Sequence, residues 1–258
     1  MTTPAPTVQD HLAGIADAAR RMAARAREAG TDAPVPTCPG WTVRDLLAHQ
    51  GMVHRWATAV VRGADVATIG EESFEAEGLA HPDPAAWLEA GAADLLSALE
   101  DAPDDLDVLT FLVDAPPARA FWARRQCHET TVHALDALSA ARGRRATADD
   151  LWLAAPTALD GVDELLVGFW QRRKGGPRAD PAAPALVEAT TGARWLVEAG
   201  PERARTRRLA AGDEVPQGMP TVRGTPADLY LALWNRGGTV DDPAGLLEHW
   251  HATGAITW

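Results

Sequence analysis

Helix-period hydrophobicity runs through the first half of the chain and leaves it little choice of fold. Val8, Leu12, Ile15, Ala19 and Met22 recur at spacings of 4-3-4-3, which lines them along one face of an α-helix. Gly30 can end that helix in a left-handed turn. After a turn-rich stretch at 34–40, Thr42 offers an N-cap hydroxyl with Asp45 at the third helical position. Leu46, Leu47, Val53, Ala57, Val60 and Val61 carry this second helix to Gly63. Pro84 can open a third helix bearing Trp87, Leu88, Leu95, Leu96 and Leu99, and a fourth spans 117–142. The polar stretch 64–83 and the Asp- and Pro-rich stretch 101–118 read as connections, the latter with a short extended piece at 108–113. Four long helices with one or two long crossovers describe a helix bundle.

The period changes in the second half. A further helix is expected over 149–173, followed by a breaker-rich loop at 174–184. Residues 186–190 and 194–198 then read as strands joined by Thr191-Gly192, and 222–224 as a short extended piece. Thr225, Pro226 and Asp228 are a helix start, with that helix running through Trp234 to end near Gly237, and another beginning after Pro243. The expected fold is mainly α. A four-helix bundle at 1–145 precedes a smaller α+β domain at 146–258 that includes a connecting helix.

Charge and cysteine usage narrow the function classes. A formal net charge of -12 opposes nonspecific binding to nucleic acid or to anionic membranes. No apolar run approaches the roughly 20 residues that span a bilayer, and Met1 to Gln9 lacks the pattern of a signal peptide. Two cysteines, Cys38 and Cys127, form no CxxC pair and suit a reducing cytoplasm. The expectation is a cytoplasmic protein, monomer or homodimer, with no nucleic-acid or membrane partner. No GxGxxG, P-loop or Gly-x-Ser-x-Gly elbow is present, and Ser73, Ser97 and Ser139 stand in no hydrolase context.

What the chain does carry is a divided set of metal-ligand residue types. Glu129 and His133 lie four residues apart on the fourth helix, hence one turn apart on one face. The string HETTVH is not the HExxH of zinc proteases, and the spacing suits Glu129 as a ligand rather than a base. Arg125, Gln126, Trp122, Val132 and Asp136 share that face. A face with Trp122 and Val132 belongs in the interior, where charges are costly unless paired or bound to metal. Asp136 can orient an imidazole from one turn beyond His133, and Arg125 can pair with a carboxylate. The plain alternative is a solvated face with a helix salt bridge. On the second helix, His49 and His54 sit at opposite edges of the inward arc, and periodicity does not choose between them. His11 and His81 read as exposed, His249 and His251 as surface residues, and Cys38 as an idle thiol for want of a nearby base.

The runs VPTCPGWTVRDLLAH at 35–49, HETTVHALD at 128–136 and LALWNR at 231–236 resemble the mycothiol-dependent maleylpyruvate isomerase family. The resemblance covers nearly the whole chain. It implies a DinB-like four-helix bundle joined to a smaller α+β domain, and it places the family's metal ligands on His49, Glu129 and His133. A functionally important C-terminal arginine would fall on Arg236, with Arg223 as the other candidate. It further implies Zn2+ or another divalent metal, and mycothiol, the low-molecular-weight thiol of actinobacteria, as cosubstrate. A metal-bound thiolate would attack an electrophilic small molecule, in cis–trans isomerisation or thiol S-transfer. A non-catalytic metal- or ligand-binding module and a metal-dependent hydrolase remain the competing classes.

Overall fold

A computed structural model describes residues 4–112, 114–173 and 175–254. They divide into two compact units. The first is Pro6–Thr110 with Pro116–Ala146; the second gathers the described residues from Thr147 onward with those of 111–115 and Pro4–Ala5.

The first unit is the helical one: α1 (Val8–Ala29), α2 (Val43–Val61), α3 (Glu71–Ala80), α4 (Pro84–Asp101) and α5 (Ala118–Arg142). Thr7 and Thr42 cap α1 and α2 through capping boxes with Asp10 and Asp45, each satisfying orphan N–H groups at a helix start. Gly143, at φ 63°, closes α5 in the left-handed conformation that glycine tolerates best. α5 is buried over most of its circumference, from Phe121 through Ser139, and packs against α1, α2 and α4. A helix covered on all sides must satisfy its polar residues internally. Buried Arg125, Glu129, His133 and Asp136 make that demand acute.

Three expectations change here. Residues 71–80 form α3, where a polar connection was expected. Its sequence, EESFEAEGLA, carries no apolar stripe, and Gly78 is its one buried residue. Small size, not hydrophobicity, docks it. The Trp87 ring of α4 wedges between Gly78 and Gly51 of α2, so close that a Cβ on Gly51 would fall 2.1 Å from Trp87 Cζ3. Arg55 lies 3.6 Å over the same ring and donates to the Trp87 carbonyl. Gly51→Ala is therefore expected to lower unfolding free energy by about 1–3 kcal/mol, the usual range for overpacking; an unchanged urea midpoint would show that the wedge yields freely. His11, expected at the surface, is 5% exposed, its ring 6.0 Å from that of His128. The expected extended piece finds no strand partner over the described residues 108–112, and Val113 lies outside the described residues.

The second unit is α+β. α6 (Ala155–Asp163), with Pro156 in its first turn, runs into a π-helical turn at Glu164–Phe169, so the helix expected over 149–173 is shorter and later. β1 (Ala183–Ala189), β2 (Arg194–Ala199), β3 (Ala204–Arg208) and β4 (Thr221–Gly224) form one sheet in the order β3-β2-β1-β4. β1 and β2 make the expected hairpin, with Gly192 at φ 93° in its turn. β3 pairs antiparallel with β2 and β4 parallel with β1. β3, of sequence ARTRR, shows no strand alternation and was not anticipated; its exposed arginines blunt an open sheet edge. α7 (Pro226–Leu233) and α8 (Leu246–Thr253) follow. Trp195, Val187, Val222, Tyr230 and Phe169 anchor the core. No described helix is long and apolar enough to cross a membrane.

Candidate metal centre

α2 and α5 bring His49 Nε2, Glu129 Oε1 and His133 Nε2 together, all within 4.8 Å of one another. His133 Nε2 lies 3.3 Å and His49 Nε2 3.9 Å from Glu129 Oε1. Ligands bound at 2.0–2.2 Å around a tetrahedral cation stand roughly 3.3–3.5 Å apart. The His133–Glu129 spacing fits one small divalent ion, and His49 would have to close on Glu129 by about half an ångström to join it.

The surroundings of Glu129 explain its orientation. Arg125, one helical turn earlier, donates from Nη2 to Oε2 at 3.0 Å, and the two side chains are only 1% and 4% exposed. That bond engages Oε2 and leaves Oε1 facing the histidines. Oε1 is itself buried and accepts no well-aligned hydrogen bond among the described residues. A buried carboxylate oxygen in that condition is costly unless a cation completes it. Burial pushes the Glu129 carboxyl up, but the His133 and His49 imidazoles and the Arg125 charge outweigh it and hold the group well below the usual carboxylate range. It is therefore ionised, as a ligand must be.

His133 is held from behind. Its Nδ1 lies 2.9 Å from Oδ2 of fully buried Asp136, three residues on. This is the carboxylate–histidine pairing that fixes the ring of a metal-binding imidazole. Burial lowers the pKa of His133, yet Asp136, Cys38 and Glu129 raise it more, so the imidazole stands well above its ordinary value. Without a cation the cluster is a charged pair; a cation would displace the proton on Nε2.

His54 is elsewhere. Its Nε2 sits 2.9 Å from both Gln50 Nε2 and Thr130 Oγ1 in the bundle interior. Burial and the Arg55 charge push its pKa down to about 3, so it stays neutral as a core residue. The geometry separates the two histidines that periodicity left equal.

One wall of the site was not foreseen. Trp41, half-buried in the loop before α2, stacks at 21° to His133 with centroids 6.3 Å apart and approaches the His49 ring to 5.0 Å. It covers both imidazoles on one side. A tryptophan in a loop has no periodicity to give it away. Its place directly before the Thr42 cap, eight residues before His49, was the available signal.

Arg236 belongs to the second unit, just after α7. It is half-buried, and its Nη1 donates to the Trp234 carbonyl at 2.9 Å. Arg223, the other candidate, is exposed and engaged by Glu188 through Nη2 at 2.6 Å.

Family models match both halves of the chain: the mycothiol maleylpyruvate isomerase N-terminal domain over residues 12–138, and the MDMPI C-terminal domain over residues 156–253. Two solved structures resemble the chain at a TM-score of 0.63: a mycothiol-dependent maleylpyruvate isomerase at 17% identity, and a histidine-to-alanine mutant of such an isomerase at 16%. Each alignment covers 93% of this chain and 94% of the other. At such identity the likeness speaks to the fold. No curated protein matches the sequence.

Proposed function

The chain belongs to the mycothiol maleylpyruvate isomerase family, and from that premise we propose that it is a mycothiol-using enzyme that acts on a small electrophile at a divalent metal, zinc being the first choice, held by His49, Glu129 and His133. The observation that carries this reading is the convergence of two imidazole nitrogens on a buried carboxylate oxygen that has no other partner among the described residues. Three protein ligands leave a fourth position open, which distinguishes catalytic from structural zinc sites. When bound, the cation would favour the thiolate form of a thiol beside it.

The residues of the chain divide the remaining work. Arg125 keeps Glu129 ionised and aimed. Asp136 holds the His133 ring with Nε2 toward the site. Trp41 screens one side of both imidazoles from water. Arg236 is proposed to receive a substrate carboxylate through paired hydrogen bonds, for which a guanidinium is suited. In isomerisation the thiolate adds to one carbon of a conjugated double bond, the electron pair moves onto the conjugated carbonyl, the resulting single bond rotates, and return of the pair restores the double bond and expels the same thiolate. In S-transfer the adduct is the product.

The test is turnover of the zinc-loaded protein with mycothiol and maleylpyruvate. Conversion to the trans isomer with mycothiol recovered identifies an isomerase, and consumption of thiol against other electrophiles identifies a transferase. Arg236→Ala should retain zinc and raise KM for carboxylate substrates. Metal-dependent turnover without any thiol would replace this reading with a hydrolase; bound metal with no turnover on any electrophile would leave a binding module.

A further inference from the structure

Thr37 and Cys38 lie in the loop between α1 and α2, outside the ligand set above. We propose that both are positioning residues, which hold His133 in its metal-binding orientation by fixing Asp136.

The loop is built to present them. Val35 N–H donates to the Trp41 carbonyl at 2.9 Å, Cys38 N–H to Val35 at 3.0 Å and Trp41 N–H to Cys38 at 3.0 Å. Gly40 takes φ 87° inside this closed turn, a conformation that a side chain would strain. Thr37 Oγ1 donates to Asp136 Oδ1 at 2.5 Å, and Cys38 Sγ lies 3.4 Å from Oδ2. Asp136 is fully buried, so its carboxylate takes its donors from the protein. Thr37 occupies one oxygen. Cys38 and His133 Nδ1 share the other. The carboxylate plane is thereby fixed, with Oδ2 directed at Nδ1. A carboxylate free to rotate would let the imidazole swing, and Nε2 would lose its aim at Glu129 Oε1. One loop thus sets the back of the site through Thr37 and Cys38 and its side wall through Trp41.

Cys38 Sγ, His133 Nδ1 and Asp136 also lie within 4.8 Å of one another, a grouping that could itself hold a cation. The positioning role is favoured because both Asp136 oxygens already have donors. Glu129 Oε1, on the other side of His133, accepts no well-aligned hydrogen bond among the described residues.

This inference rests on the ligand set His49, Glu129 and His133. Its test is zinc affinity, measured by competition with a chromophoric chelator, in wild type, Thr37→Val, Thr37→Ser and Cys38→Ser, with cobalt(II) absorption as a second readout. Thr37→Val is expected to weaken zinc by about 10-fold, the low end of the 10- to 100-fold range for a residue bonded to a ligand, because Thr37 reaches His133 only through Asp136. Thr37→Ser, which keeps the hydroxyl, should restore affinity. The cobalt protein should show no thiolate charge-transfer band. Equal affinity in Thr37→Val and a zinc-binding wild type, or no rescue by Ser, overturns the positioning role alone. A charge-transfer band lost in Cys38→Ser makes Cys38 a ligand and also overturns it. A wild type that binds no zinc overturns the ligand set and this inference together.

Discussion

His49→Ala is expected to lower zinc affinity by more than about 100-fold while leaving the fold intact. Removing a hydrogen-bonded neighbour of a ligand already costs 10- to 100-fold, and removing the ligand itself costs more. His49 is the cleanest of the three positions because its side chain, 14% exposed, is the least buried of them and, unlike His133, has no buried carboxylate hydrogen-bonded behind it, while Arg125 and His133 remain beside Glu129 when it is truncated. His133→Ala should lose zinc equally but also destabilise the metal-free protein, since it deprives fully buried Asp136 of the imidazole 2.9 Å away. His54→Ala should do the reverse. It empties a fully buried site and breaks contacts to Gln50 and Thr130, so stability falls while zinc is retained. Zinc per chain by elemental analysis, paired with urea midpoints of metal-free samples, separates the three outcomes. Full zinc in His49→Ala, or loss of zinc in His54→Ala with the fold intact, would move the ligand from one histidine to the other.

How much of this site could be read from the sequence depended on where each residue lies. Arg125, Glu129, His133 and Asp136 sit on one helix, where spacing alone predicts a shared face, and the structure puts them in contact in the same order. His49 and His54 lie on the flanks of the α2 stripe, and a five-residue separation leaves both within reach of an inward arc. What separates them is the identity of the residues on the facing helix, a tertiary fact. Thr37, Cys38 and Trp41 act from a loop, where no period exists and position follows from backbone closure. The same logic holds for the fold. α1, α2, α4 and α5 announced themselves through apolar stripes or caps. α3 did not, because a glycine against a tryptophan supplies its main packing contact. β3 did not, because an edge strand of arginines reads as a solvated charge run until its partner is known.

Arg125→Met should destabilise the metal-free protein by about 3–5 kcal/mol, the usual cost of stranding one partner of a buried ion pair. The side chains of Arg125 and Glu129 are 1% and 4% exposed, so solvent does little to screen them. His49 and His133 remain beside Glu129, which places the expected value toward the lower end of that range. The pH dependence follows from the carboxylate. In wild type the His133 and His49 imidazoles and the Arg125 charge hold the Glu129 carboxyl well below the usual carboxylate range despite its burial. Its contribution to stability is present above the unfolded pKa and is lost as pH falls through the folded one. Without Arg125 the burial that pushes this group upward loses a counterweight, so the deficit of the variant should be largest near neutral pH and shrink in acid, where a protonated carboxyl needs no cation. Arg125→Met combined with Glu129→Gln should regain most of the lost stability, since neither charge remains, yet bind no zinc. Zinc should stabilise the single variant more steeply than it stabilises wild type, because the cation then supplies the only strong neutralisation of Glu129 besides the imidazoles, while at 1,000 times its Kd it adds about 4 kcal/mol to whichever form binds it. A double variant no more stable than Arg125→Met alone would mean that the guanidinium supports the bundle by packing, and that the ionisation of Glu129 is maintained by the two histidines without it.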